Sequence, residues 1–253
     1  LAKHHFAAAA ATMAGRMKHV ESGDNVNPEN AISFDEELKK HLANLEVYAD
    51  LLAAFNAKAR LTGPPDSDTI MGDHIHDCVQ SLRFAPDIGR VVDVGSGGGL
   101  PGIVWAICRP HLNVVLMESI ARKCAALSEM AAMLGLENVS VECQRSETFA
   151  AEHREMFSIA VCRAVGHAGV IAEYMAPLVA PQGCLLAFKG PRVFGEIEEI
   201  EDRWNELGLK APELFPYSTG GKNLYLVRWK KHGACPARYP RRPGQAQKKH
   251  WWR

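Results

Sequence analysis

Twelve consecutive residues carry most of the chemistry to be expected of this chain. Val91-Val92-Asp93-Val94-Gly95-Ser96-Gly97-Gly98-Gly99-Leu100-Pro101-Gly102 reads as a strand end, a glycine turn and a helix start. Glycines let the chain turn sharply and let a ligand lie against main-chain atoms with no Cβ between them. Pro101 suits the first helical position, where its missing N–H has no intrahelical partner. Two ligands compete for such a turn. Gly97-x-Gly99-x-x-Gly102 satisfies the dinucleotide fingerprint, in which helix N–H groups receive a pyrophosphate. Asp93-x-Gly95-x-Gly97-x-Gly99 instead suits S-adenosylmethionine. The three glycines would surround its methionine part, and Asp93 would order the loop and its waters near the ammonium. Glu118 ends the next strand, 25 residues after Asp93, where a carboxylate can accept both ribose hydroxyls under either reading. Its alternative task is to satisfy open N–H groups at a helix N-terminus. After the third strand, Arg145-Ser146-Glu147 offers polar contacts at the height of an adenine.

These groups need a scaffold that brings strand ends together. Arg90–Val94, Asn113–Met117, Val139–Glu142, Phe157–Val161 and Cys184–Phe188 are short apolar runs, and 119–134, 168–179 and 193–207 between them have helical character. Strands alternating with helices imply an α/β, doubly wound, mostly parallel sheet covered on both faces. Leu214–Ser218 and Asn223–Trp229 form an expected antiparallel hairpin at the sheet edge. Upstream, Ser33 with Glu36 three residues later is a helix cap signal. Leu38, Leu42, Leu45, Tyr48, Leu52 and Phe55 then make one apolar stripe at three- and four-residue spacing. Gly63-Pro64-Pro65 ends that helix, and a second helical stretch covers 67–84. The expected organisation is a poorly ordered extension over 1–30, a helical cap over 31–86, a catalytic domain over 87–231 and a basic tail over 232–253.

The composition fits a globular protein: 253 residues, 47% hydrophobic and 23% charged. The most apolar stretch, Tyr174–Phe188, is broken by Pro177 and Pro181, so no membrane span is expected. Seven scattered cysteines without a C-x-x-C pair argue against a disulfide framework, a zinc knuckle or an iron–sulfur cradle, and for a reducing, cytoplasmic setting. Cys143, Cys162 and Cys184, in apolar strand stretches, read as inert core. The histidines show no metal-ligand spacing, and no metal is expected. Net charge is zero, yet residues 222–253 hold ten basic residues and no acid. A basic end suits a polyanionic partner, and Tyr239, Trp251 and Trp252 among the cations can stack on bases. The alternatives are a solvated, poorly ordered tail, and a terminus that the two tryptophans dock onto the body.

Taken together, Asp93–Gly102 with its Leu100-Pro101-Gly102 ending resembles the bacterial 16S ribosomal RNA guanine-N7 methyltransferases, the glucose-inhibited division protein B family. Asn56 with Leu61-Thr62, His74-Ile75-x-Asp77, Arg163-Ala164-Val165, Lys189-Gly190 and Tyr239-Pro240-Arg241-Arg242-Pro243-Gly244 match its motifs in order, over roughly residues 35–250. The resemblance implies a Rossmann-like methyltransferase fold and S-adenosylmethionine as donor. It places donor contacts on Gly95, Leu100, Ser146, Glu147 and Arg163, with Glu118 as ribose partner. Arg60, His76 and Cys78 depart from the family pattern, all within the cap.

The residues also bear on which atom is methylated. Methylation at C5 of a pyrimidine uses a cysteine nucleophile, and methylation of an exocyclic amine commonly uses an Asn/Asp-Pro-Pro-aromatic turn after the fourth strand. Here Cys162-Arg163-Ala164-Val165 stands there instead. Guanine N7 needs neither device, because its lone pair lies in the ring plane and carries no proton. Alignment and exclusion of water then do the work. Arg163 cannot act as a base, so its tasks are orienting the donor or contacting a phosphate or the guanine. Lys189, Arg241 and Arg242 are the other candidate contacts to 16S ribosomal RNA in the small subunit, and a monomer is expected. The rival readings are a nicotinamide-dependent oxidoreductase and a non-catalytic RNA-binding protein.

Overall fold

The computed structural model describes residues 34–63 and 66–253; the extension expected at 1–30, the Ser33 cap and Pro64-Pro65 lie outside the described residues. The cap begins with α1 (Phe34–Ala59). A single irregular helical stretch follows: α2 (Ser67–Thr69), a π-helical segment (Ile70–Ile75), α3 (His76–Val79) and a 3-10 segment (Gln80–Phe84). The widened π turn brings Ile70 and Ile75, five residues apart, onto one buried face.

Five parallel strands come next: β1 (Gly89–Val94), β2 (Leu112–Glu118), β3 (Val139–Cys143), β4 (Phe157–Arg163) and β5 (Val179–Lys189). The antiparallel hairpin of β6 (Glu213–Thr219) and β7 (Lys222–Lys230) joins through β7, giving the order β3-β2-β1-β4-β5-β7-β6. Val91, Val92, Asp93 and Val94 are all buried, as a strand covered on both faces requires. α4 (Gly102–Cys108) and α5 (Ala121–Met133) pack with α1 against one face. On the other face lie α6 (Ser146–Glu152), α7 (Ala168–Met175) and α8 (Val193–Glu198). The chain runs outward from β1 to β3, then returns to β4. The carboxyl ends of β1 and β4 therefore flank the switch point, where open α/β sheets bind ligands.

Two expected helices come out shorter. The 168–179 helix ends at Met175, because Pro177 cannot donate a helical hydrogen bond. The 193–207 helix is split into α8 and a 3-10 segment (Arg203–Leu207), with Glu201 between them at φ 56°.

The basic tail is part of the body. Cys235, Tyr239, Ala246, Trp251 and Trp252 are buried in the same core cluster as α7, and α9 (Gln245–Lys248) lies within the segment. Trp251 Nε1 donates to the Gly169 carbonyl at 2.8 Å, and Arg203 donates to the carbonyls of both tryptophans. Arg154 donates to the carbonyls of Cys235 and Tyr239, each at 2.6 Å. Arg241, expected to face RNA, instead forms a two-pronged pair with Glu173 at 2.9 and 2.6 Å. Glu173 is fully buried, and removing its partner would strand a buried charge at a cost of about 3–5 kcal/mol.

The cysteines also differ from expectation. Cys124 and Cys143 are joined in a disulfide with their Cα atoms 5.7 Å apart. Parallel pairing sets Cys143 beside Glu118, and the first turn of α5 carries Cys124 back over it. That proximity is invisible in linear spacing. Cys162 is buried and Cys184 partly so, both with free thiols.

Replacing Gly169 tests the docked terminus. A Cβ there would lie 2.2 Å from the Trp252 ring. Gly169→Ala is expected to destabilise the protein by roughly 1–3 kcal/mol and to shift tryptophan emission to the red. Unchanged stability and emission would contradict the docking.

Candidate active site

The glycine turn is fixed from three sides. The N–H groups of Gly95 and Ser96 both donate to the Met117 carbonyl, at 2.8 and 3.0 Å, tying the turn to the end of β2. From the cap, the Tyr48 hydroxyl donates to the Gly98 carbonyl at 2.8 Å. The side chains of Leu52 and Leu61 press on Gly98. Leu61 is held there because Asn56 Oδ1 accepts the N–H groups of Leu61 and Thr62, at 2.7 and 2.9 Å. Within the turn, Gly99 has φ 94°, and a Cβ would sit 2.4 Å from Ile103.

The third anchor is Asp93. Its carboxylate is fully buried, and Oδ2 accepts the Gly102 N–H at 3.0 Å. The Ile103 N–H is taken by the Gly99 carbonyl at 2.7 Å. The first N–H groups of α4 are therefore engaged within the protein rather than open to a pyrophosphate. This geometry disfavours the dinucleotide reading. The helix starts at Gly102, so Pro101 precedes it rather than opening it. Asp93 is sealed behind the turn and orders it from within. Burial raises its carboxyl to about 7.

A first cleft opens at the ends of β1, β2 and β3. Gly95, Glu118, the run Gln144–Glu147, Val165, Tyr174 and Gln247 line it. Gly97, Gly99 and Leu100 shape the turn but do not line this cleft. Glu118 takes up the task of satisfying open N–H groups at the helix start. Oε1 accepts the N–H groups of Ser119 and Ile120, at 2.7 and 3.0 Å, and Oε2 accepts that of Gly97 at 3.1 Å. A carboxylate has about four acceptor positions, so one on Oε2 is left for a ribose hydroxyl rather than two. Ser146 and Glu147 are buried, and Glu147 Oε1 accepts the Gly244 N–H at 3.0 Å, linking the cleft to the C-terminal segment. The cleft suits a small ligand with a polar edge: Gly95 is exposed within it, Glu118 keeps an acceptor position, and the Tyr174 hydroxyl has no partner among the described residues.

A second cleft lies beyond the carboxyl ends of β4 and β5. Arg163 Nη1 donates to Asp77 Oδ2 at 2.9 Å, and Nη2 donates to His74 Nδ1 at 2.6 Å. The Tyr217 hydroxyl donates to Asp77 Oδ1 at 2.5 Å. The cap, β4 and β6 thus meet at one carboxylate. Burial raises the Asp77 carboxyl, which hydrogen bonds from Tyr217 and Arg163 only partly offset. Burial and the Arg163 charge lower His74 to about 4, so it is neutral at pH 7, with Nδ1 accepting and Nε2 carrying the proton. Lys189, lining this cleft, is bound to Glu196 at 2.6 Å and to the Gly166 carbonyl at 2.7 Å. Arg242 is exposed.

Between the two clefts runs the turn Arg163-Ala164-Val165. Ala164 has φ 58°, a strained conformation for a residue with a Cβ. It lines the second cleft while Val165 lines the first. The sequence reading missed four contributors. Tyr48 was visible only as one member of an apolar stripe, and Tyr174, Tyr217 and Gln247 carried no motif. Among the described residues, no three His, Cys, Asp or Glu side chains group to hold a metal ion.

Asp93 makes stability depend on pH in a definite direction. Its folded value, about 7, lies above its ordinary value of 3.8. The folded state therefore binds the proton more tightly, and stability falls as pH rises between those values. Asp93→Asn keeps an acceptor for the Gly102 N–H and cannot ionise. Denaturant unfolding is expected to show it gaining on the parent by about 1 kcal/mol or more from pH 5 to pH 8. Parallel profiles would contradict the assignment.

Comparison with known proteins gives the family. The family model described as GidB, rRNA small subunit methyltransferase G, matches residues 41–224. The chain is 34% identical over 219 residues to the ribosomal RNA small subunit methyltransferase G of Pelotomaculum thermopropionicum, covering 83% of this chain and 91% of the relative. It is 38% identical over 221 residues to that of Rubrobacter xylanophilus, covering 83% and 84%. Among solved structures, M. jannaschii TYW2 in complex with AdoMet superimposes with a TM-score of 0.50 at 16% identity, over 62% of this chain and 76% of that one. The last likeness bears on the fold alone. With the family model matching residues 41–224 and these identities over most of both chains, the chain belongs to the rRNA small subunit methyltransferase G family.

Proposed function

We propose that this protein transfers a methyl group from S-adenosylmethionine to N7 of a guanine in 16S ribosomal RNA of the small subunit. The observation that carries this reading is the pair of clefts on either side of Arg163-Ala164-Val165, one suited to the donor and one to a base. The bound donor supplies a methyl group made electrophilic by its sulfonium. Gly95 and Val165 bound the donor at the turn, Glu118 accepts one ribose hydroxyl, and Gln144–Glu147 face the adenine. Arg163 fixes the far side of the turn through Asp77 and His74.

In the second cleft, His74 Nδ1 accepts from Arg163, each oxygen of Asp77 accepts one hydrogen bond, and Asp73 faces Lys222 at 3.5 Å, so the ionisable groups hold their neighbours in place. A guanine N7 suits such a site, because its lone pair attacks without prior deprotonation. Positive charge then develops on the purine ring, and the Asp77 carboxylate lies where it can offset it. The exposed Arg242, Lys248 and Lys249 of the C-terminal segment extend a basic surface for the RNA backbone. Lys189 and Arg241, held by Glu196 and Glu173, support the walls instead. The proposed enzyme is a monomer acting in the cytoplasm.

The test is methylation of small subunits that lack the modification, followed by nucleoside mass spectrometry and mapping. The expected product is 7-methylguanosine at one site, lost in Arg163→Ala. A methyl group on an exocyclic nitrogen, or donor binding without any product on subunits or free RNA, would contradict the proposal. Asp77→Asn is expected to lower the turnover rate by about 10- to 100-fold while donor affinity stays within about twofold of the parent. An unchanged rate would remove Asp77 from the mechanism.

A further inference from the structure

The first cleft has a wall that the sheet does not supply. Tyr174, on α7, is only 5% exposed, and its hydroxyl has no hydrogen-bond partner among the described residues. A buried hydroxyl left unpaired is destabilising, and this one lines a ligand cleft. The same cleft is lined by Gln247, an exposed residue of α9 in the C-terminal segment. The segment is held against the cleft by the Gly244 N–H on Glu147 and by the Arg241–Glu173 pair one residue before Tyr174. The terminus is therefore built into this site.

We infer that Tyr174 and Gln247 form the adenine clamp of the donor site, so that the C-terminal segment binds the methyl donor. This inference rests on the proposed function. Glu118, with its single remaining acceptor position, marks the ribose. The base lies beyond it, against Gln144–Glu147, and Glu147 is the charged group with the largest influence on Tyr174. A hydroxyl and a primary amide can each donate and accept. Together they match the amino edge of adenine, where an N–H donor stands beside a ring-nitrogen acceptor. Burial raises the Tyr174 hydroxyl to about 12, keeping its proton in place at working pH.

The experiment uses the full chain and two probes: S-adenosylhomocysteine and the analogue whose base lacks the 6-amino group. Titration calorimetry on the parent is expected to show the analogue binding about 10-fold more weakly, the loss of one well-placed hydrogen bond. In Gln247→Ala, a change on an exposed residue, that preference is expected to shrink to about twofold or less. Tyr174→Phe is expected to weaken S-adenosylhomocysteine by about 5- to 10-fold while apo thermal stability stays equal or rises, because the unpaired hydroxyl is gone. A purely structural wall would lower stability and weaken both probes equally. Overturning results are a preserved preference in Gln247→Ala, or unchanged affinity in Tyr174→Phe. If the parent binds neither probe, the donor assignment fails together with the clamp; if it binds both and the variants keep its preference, only the clamp fails.

Discussion

A buried carboxylate governs the site. Asp93 ends β1 with no contact to solvent and holds the Gly102 N–H, so the chain must turn tightly over it before α4 begins. Only glycines follow that path, and their carbonyls and N–H groups are then taken by Met117, Tyr48 and Ser96. The same contact engages the Gly102 N–H at the start of α4, which a pyrophosphate would need as a donor. Its cost is a strained ionisation, expressed as a carboxyl raised to about 7.

The second organising feature is the turn after β4. Arg163 reaches into the cap, where Asp77 and His74 receive it, and Tyr217 from the edge hairpin closes on the same carboxylate. Three parts of the chain separated by about 90 and 50 residues meet there. Ala164 sits at the junction in a left-handed conformation that the surrounding contacts impose. The cap is accordingly more than a cover: it presses on the glycine turn through Tyr48, Leu52 and Leu61, and anchors the turn between the clefts through Asp77.

The alternating strands, the hairpin and the glycine turn were legible because each is a local pattern of period, punctuation and spacing. Glu118 was legible too, since the strand length fixes where it ends. Its N–H partners at the helix start were legible as well, but the Gly97 N–H was not, because that contact depends on how the turn returns toward β2. The C-terminal segment was misjudged from its charge: ten cations without an acid suggested an outward tail, whereas Arg241 meets Glu173 and Trp251 meets Gly169 across 68 and 82 residues. The Cys124–Cys143 bond was hidden for the same reason, as only the β2–β3 register brings the two together. Tyr174 and Gln247 show the limit most plainly: neither belongs to a motif, and a shared wall exists only once the terminus is docked.

The arrangement as a whole stands on the donor lying in the first cleft with its sulfur toward the turn that separates the clefts. A crystal structure of the protein with S-adenosylhomocysteine tests this most directly. The account predicts the ribose on Glu118, the adenine between Gln144–Glu147 and the Tyr174–Gln247 wall, and the sulfur beside Gly95 and Val165, open toward Arg163 and Asp77. A sulfur turned away from the second cleft, or a ligand seated at the start of α4 with the Asp93–Gly102 contact broken, would contradict it.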